Sequence, residues 1–312
     1  MALSTSFAIM ITAVVGASYS AGATVRCSPV LREQIRVGDT IVRVSRPLRV
    51  AADTPILVLY HGFGSPADAA SLERAIPPLP DAVTLYPTLP LTGDRLQPGG
   101  RDELIRLQRE DYIGKLLVPV VSSAADELPA IIATARQRFG NTRSEIGVFG
   151  FSAGGVAALA SLPRRAMRIR MAISLNSPLS MAQAAANWEH VSGQAFHWSP
   201  EARRAEAAYD VAANARRIAK AQPRASILFL QGDADSQFAP DVALMAVAAL
   251  QSAYARRQVA RVEMIAGMGH QLGAFDRSAP AMAAVKVREA FAHAFGITPA
   301  LPCDDDATSQ EP

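Results

Sequence analysis

The sequence predicts an α/β protein: a mostly parallel central sheet with helices on both faces. Two patterns carry this. From Pro55 onward, short runs that are apolar at every position, as in strands buried on both faces, alternate with stretches of helical period. Before them, Arg32 to Val50 alternates polar and apolar residues around Gly38-Asp39, as an antiparallel pair at a sheet edge does. Strands alternating with helices after such a start imply parallel pairing with helical crossovers.

Each element follows in order. Pro55–Tyr60 is a continuous apolar strand that ends at His61-Gly62-Phe63-Gly64, and Ala82–Tyr86 is a weaker strand before a Pro- and Gly-containing loop from Pro87 to Gly100. Helical periodicity covers about Leu117 to Phe139, with a kink predicted at Pro129. Glu145–Leu159 reads as a strand, the turn Gly150-Phe-Ser-Ala-Gly154, and an Ala-rich helix. Met171–Leu175 and Ser226–Gln231 are strands. The roughly fifty residues between them, about 176–225, form a cap-like excursion over the sheet edge, with Trp188, His190, Phe196, His197 and Trp198 and then a charged helical stretch from Pro200 to Lys220. Asp241–Ala255 is a helix, Val259–Ile265 a strand and Ala279–Ala294 a closing helix; Pro302–Pro312 is expected to be a disordered tail. One domain, 24–312, accounts for the whole pattern.

Basic and acidic residues nearly balance, 31 against 28, and the densest basic stretch, Arg164 to Arg170, leads into a strand. Nucleic acid is therefore not an expected partner. Met1–Ala23 carries no charge, contains the apolar run Phe7–Val15 and ends in Ala21-Gly22-Ala23, which fits a cleaved export signal and places the mature protein in the periplasm or outside the cell. The apolar run is too short for a stable membrane span. The two cysteines, Cys27 and Cys303, flank the core-forming segments; in an oxidising compartment they either pair and tie the chain ends together or stay as two surface thiols. Their separation and the scattered histidines lack the spacing of a metal site, and no cofactor is expected.

Chemistry concentrates at strand ends. A tight strand-to-helix turn tolerates almost no side chain beside it, so Gly150 and Gly154 let the backbone pass and leave Ser152 pointing up from the sheet. A serine hydroxyl needs a base, and the base needs a group that orients it. Gly232-Asp233-Ala234-Asp235 and Gly267-Met268-Gly269-His270 each follow a strand, and ligands of such sheets gather at the strands' carboxyl ends.

The order Ser152, Asp235, His270, together with His61-Gly62-Phe63-Gly64 ahead of the turn and Pro240 beyond the acid, resembles the α/β-hydrolase superfamily from about Arg32 to Phe295. Within it the chain looks most like dienelactone hydrolases and the small esterases of prolyl-oligopeptidase type. The resemblance implies a serine hydrolase that cleaves a carboxylic ester through an acyl-enzyme. Ser152 would be the nucleophile, His270 the base, and Asp235 rather than Asp233 the orienting carboxylate, with the N–H groups of Phe63 and Ala153 as oxyanion donors. His61 reads as structural, and His190 and His197 as surface or packing residues. Phe63 either borders the acyl pocket or packs beneath its loop, and Trp188 and Trp198 either wall the substrate site or anchor the excursion. The partner is then a small or polymeric ester. A small peptidase, a thioesterase or a non-catalytic binding protein on the same scaffold are the alternatives.

Overall fold

The computed structural model describes residues 27–256, 258–273 and 278–303. The expected signal segment, 1–23, and residues 304–312 of the expected tail lie outside them.

Strands β1 (Val30–Val37) and β2 (Thr40–Pro47) form the hairpin, with Val37 opposite Thr40 across Gly38-Asp39. They are followed by β3 (Ile56–Tyr60), β4 (Val83–Pro87), β5 (Ile146–Phe151), β6 (Ile169–Leu175), β7 (Ser226–Gly232) and β8 (Ala260–Ile265). The sheet order is β1-β2-β4-β3-β5-β6-β7-β8; β2 runs antiparallel to both of its neighbours, and every pair from β4 to β8 is parallel. The carboxyl ends of β3 to β8 therefore share one edge.

Side chains alternate across a strand, so each continuous apolar run feeds two cores. Ile56, Val58 and Tyr60 of β3 join one core with helices α3 (Val118–Phe139), α4 (Ala153–Ser161), α7 (Ala215–Ala221) and α8 (Asp241–Tyr254). Leu57 and Leu59 join the other with α1 (Ala69–Ala75) and α9 (Ser278–Phe295), where Leu72 and Phe291 are fully buried. Each such Leu or Phe contributes about 1.5–3 kcal/mol by leaving water. The excursion between β6 and β7 holds α5 (Met181–Ser192) and α6 (Pro200–Tyr209), followed by α7. The charged helical stretch expected over 200–220 is divided between two helices, because Asp210 ends α6 in extended backbone.

Helices α1 and α2 (Gly100–Asp111), like α5 in the excursion, lie outside the helical stretches that the sequence pattern predicts. Short α1 is held by a cap, Ser71 N–H donating to Asp68 Oδ1 at 2.7 Å. Helix α2 is polar nearly all round and buries only Asp111. A π-helical turn, Tyr112–Leu117, joins it to α3, which continues through Pro129. The run Gly100–Phe139 is long and apolar enough by composition to cross a membrane, yet its apolar stripe, with Val120, Val121, Leu128 and Ile131, is buried in the core.

Cys27 and Cys303 are joined by a disulfide, with Cα atoms 4.7 Å apart across 276 residues of chain. Ser28 bridges Pro302 in parallel, accepts from Cys303 N–H and donates to the Leu301 carbonyl. The boundary of the expected tail moves accordingly: Pro302 and Cys303 pair with the N-terminal segment, because Arg288 grips the carbonyls of Pro299 and Ala300 just before them.

Candidate active site

The strand β5 reaches its carboxyl end at Phe151, and the chain must then reverse into α4 within one residue. Ser152 makes the turn at φ 52° and ψ −121°, a conformation side chains rarely adopt. A Cβ on Gly150 would sit 1.9 Å from the Gly154 carbonyl oxygen, and one on Gly154 would sit 2.3 Å from the His61 carbonyl oxygen. Only glycine fits either place. Ser152 N–H donates to the Leu175 carbonyl at 3.0 Å, which anchors the turn to the end of β6, and the side chain makes no cap bond to its own helix.

Ser152 Oγ lies 3.1 Å from His270 Nε2, and His270 Nδ1 lies 3.1 Å from Asp235 Oδ2. A carboxylate only accepts, so Nδ1–H donates to Asp235 and the Nε2 lone pair faces the serine hydroxyl. The Asp235 side chain is fully buried, and its oxygens also accept from Gln237 N–H at 2.8 Å, Phe238 N–H at 3.3 Å and Gln231 Nε2 at 3.3 Å. The imidazole is held between Phe151 and Phe238, with ring centroids 5.4 and 5.3 Å away. Asp233 does not reach it: exposed, it accepts from Gly267 N–H at 2.7 Å.

The loop after β3 passes directly beside the serine, since a Cβ on Gly62 would lie 3.0 Å from Ser152 Cβ. Fully buried His61 fixes this loop. Its Nδ1–H donates to the Gly62 carbonyl at 2.8 Å while Nε2 accepts from Leu89 N–H at 3.1 Å. Burial pushes its pKa below the ordinary histidine value and keeps the ring neutral. Ser65 N–H donates to Gln271 Oε1 at 2.7 Å, tying the same loop to the histidine turn. Ala153 N–H belongs to the first residue of α4, among the amides a helix leaves unpaired, and neither it nor Phe63 N–H has an acceptor among the described residues.

These groups border a cavity of about 660 Å³, within the range of small-molecule sites. Phe63, Leu104, Tyr112, Trp188 and Phe238 belong to its apolar wall. Burial pushes the Tyr112 hydroxyl up to about 12, so it stays protonated at neutral pH. Phe63 both lines the cavity and packs on the core beneath. The two tryptophans separate. Trp188 lines the cavity, whereas Trp198 stands behind it, edge-on to Phe196 at 5.2 Å and covered by the Arg203 guanidinium at 4.7 Å. Trp198 is therefore withdrawn from the expected pocket, because Phe196 lies between it and Trp188. His190 and His197 are exposed. Among the described residues, no three His, Cys, Asp or Glu side chains gather as a metal site would need.

Sequence reasoning missed Asn176, which follows β6 at φ 46° and is fully buried. Its Oδ1 accepts from Gly232 N–H at 2.8 Å, and its Nδ2 donates to the carbonyls of Gly269 at 2.9 Å and His270 at 3.1 Å. One amide thus joins the acid turn to the histidine turn. The available signal was an Asn placed directly after an apolar strand, at the same edge as Ser152.

Residues 123–291, more than half of the chain, match the model of the prolyl oligopeptidase family. No curated protein matches the sequence. Among solved structures, TT1662 from Thermus thermophilus superimposes with a TM-score of 0.62 at 18% identity, over 86% of this chain and 99% of that one. Carboxyl esterase 2 from the mycorrhizal fungus Tuber melanosporum gives 0.55 at 15% identity, over 88% of each chain. An acylaminoacyl peptidase in complex with a chloromethyl ketone gives 0.59 at 14% identity, over 89% of this chain and 43% of that one. At these identities the likeness is one of fold.

Proposed function

Because the chain belongs to the prolyl oligopeptidase family, whose members are serine hydrolases of the α/β-hydrolase fold, we propose that it cleaves a carboxylic ester through an acyl-enzyme intermediate. The observation that carries this reading is the unbroken relay Asp235–His270–Ser152, with 3.1 Å at each step, opening on a mostly apolar cavity. His270 Nε2 takes the hydroxyl proton as Ser152 Oγ attacks the carbonyl carbon. The N–H groups of Phe63 and Ala153 receive the charge that develops on the carbonyl oxygen, a contribution worth about 3–4 kcal/mol per donor in other enzymes. His270 then returns the proton to the departing alkoxide, and water repeats the cycle on the acyl-serine.

The family also cleaves peptide bonds, so a small peptidase is the second reading. A peptide brings N–H and C=O groups along its length that lose free energy when buried without partners. The aromatic and aliphatic wall formed by Leu104, Tyr112, Trp188 and Phe238 suits an ester with an apolar substituent better. Export is part of the proposal, and the Cys27–Cys303 disulfide supports it, since such bonds persist in oxidising compartments.

Labelling with a fluorophosphonate, followed by kcat/KM on matched p-nitrophenyl esters, thioesters and peptide p-nitroanilides, tests the assignment. Labelling that is lost in Ser152→Ala, with esters preferred, is expected. Nitroanilides preferred over esters would make the chain a peptidase, and a wild-type serine that does not label would make it a binding protein.

A further inference from the structure

A second cavity of about 580 Å³ lies against the first. It sits between α5 and α8, and Leu179, Ala182, Ala186, Val242, Met245 and Ala246 give it a largely hydrocarbon lining. The two cavities share two residues, Asn187 on α5 and Gln237 in the turn after Asp235. Asn187 Nδ2 donates to Gln237 Oε1 at 3.4 Å, the long limit for such a bond, while the buried Asn187 Oδ1 has no donor. The partition thus consists of two side chains joined by one weak bond and holding one unsatisfied acceptor. Moving them aside costs little, and it joins the chamber above Ser152 to an apolar chamber nearly as large.

The geometry points to a single extended substrate site: the apolar tail of an ester held at Ser152 passes between Asn187 and Gln237 into the second cavity, which selects long-chain substrates. This rests on the esterase reading above. Each methylene that leaves water for the cavity favours binding by about three- to fourfold, so a tail of several carbons outweighs the opening of one long hydrogen bond.

Ala182 and Ala186 stand one turn apart on the exposed side of α5 and border only the second cavity, so tryptophan at either fills that cavity without touching the reaction centre. For the wild type, kcat/KM should climb from the acetate to the dodecanoate in a p-nitrophenyl ester series, or from methyl to dodecyl in an alkyl butyrate series. Whichever series carries the tail identifies the side of the ester concerned. Ala186→Trp is expected to lower the long-chain value at least tenfold and to leave the shortest ester within twofold, with Ala182→Trp repeating the result. Calorimetric binding of 1-octanol, which needs no turnover, should weaken at least tenfold in both variants. Octanol affinity equal to wild type in both folded variants overturns the proposal. Weakened octanol binding in a protein that cleaves no ester of any length would uphold the cavity and remove the esterase reading.

Discussion

Asn176 holds His270 by its backbone: its side-chain amide donates to the His270 carbonyl at 3.1 Å while accepting from Gly232 N–H, three residues before Asp235. The acid and the base arrive on separate strands, β7 and β8, and this buried side chain sets their turns against each other. Asn176→Ala should therefore lower kcat tenfold or more with little change in KM, and destabilise the fold by about 1–3 kcal/mol through the orphaned Gly232 N–H. Asn176→Gly relieves the left-handed φ and should be more stable than the Ala variant yet equally slow. Normal kcat in the Gly variant would show that the amide does not position the base.

Ser152→Ala should abolish ester hydrolysis, leaving only the roughly 10³–10⁴ over water that an oxyanion hole supplies, with circular dichroism unchanged. Asp235→Asn should slow acylation greatly, since the amide favours the wrong imidazole tautomer. Asp233→Asn should cost about 1 kcal/mol of stability at most and little activity, because Asp233 only bonds Gly267 N–H. The reverse ranking of the two Asn variants in kcat/KM would move the acid to Asp233.

Trp188 and Trp198 should separate experimentally as they do in space. Trp188→Ala is expected to shift the preference among acyl lengths, whereas Trp198→Ala should lower Tm and leave the preference alone. A length preference altered equally by both would place Trp198 at the substrate after all.

Stability should fall as pH drops from 7 to 5. His61 is buried neutral with its pKa held below the ordinary 6.5, so in this window the unfolded chain takes up a proton that the folded chain refuses. The stabilising contribution is present above pH 6.5 and is lost on acidification, by no more than about 1.4 kcal/mol per pH unit. Carboxylates held low by their partners, such as Glu33 and Asp68, begin to act only nearer their ordinary values, below this window. Urea unfolding of the wild type and His61→Gln at pH 7.5, 6.5 and 5.5 measures it; an identical pH slope in the two proteins would remove His61 as the cause.

Reducing the Cys27–Cys303 disulfide should destabilise the protein by about 2–4 kcal/mol, since the bond closes nearly the whole chain into a loop. The Cys27→Ser, Cys303→Ser double variant should match the reduced protein in Tm and resist any further effect of dithiothreitol. A Tm unmoved by reductant would mean the terminal segments are held by Arg288 and the Ser28–Pro302 pairing alone.

The sheet was legible in the sequence, and so were the three side chains, Ser152, Asp235 and His270, that the structure brings together. Runs such as Ile56–Tyr60 and Ile146–Phe151 are apolar throughout because both faces are covered, and Gly150 and Gly154 can only be glycine because backbone atoms pass within 2.3 Å of where a side chain would begin. These are local requirements and leave a local signature. Helices α1 and α2 left little: one is short and held by a cap, and the other is polar on average and half-buries only a narrow stripe with Leu104 and Leu107. Long-range packing, by contrast, sets Asp233 and Asp235 apart: they stand two residues apart in one turn, and the first faces Gly267 while the second faces His270. The tertiary structure also decided that Trp188 meets the cavity while Trp198 packs behind Phe196, and that Asn176 spans two turns more than fifty residues distant in sequence. Those outcomes depend on which surfaces long-range packing brings together, and a side chain's type and spacing do not carry that information.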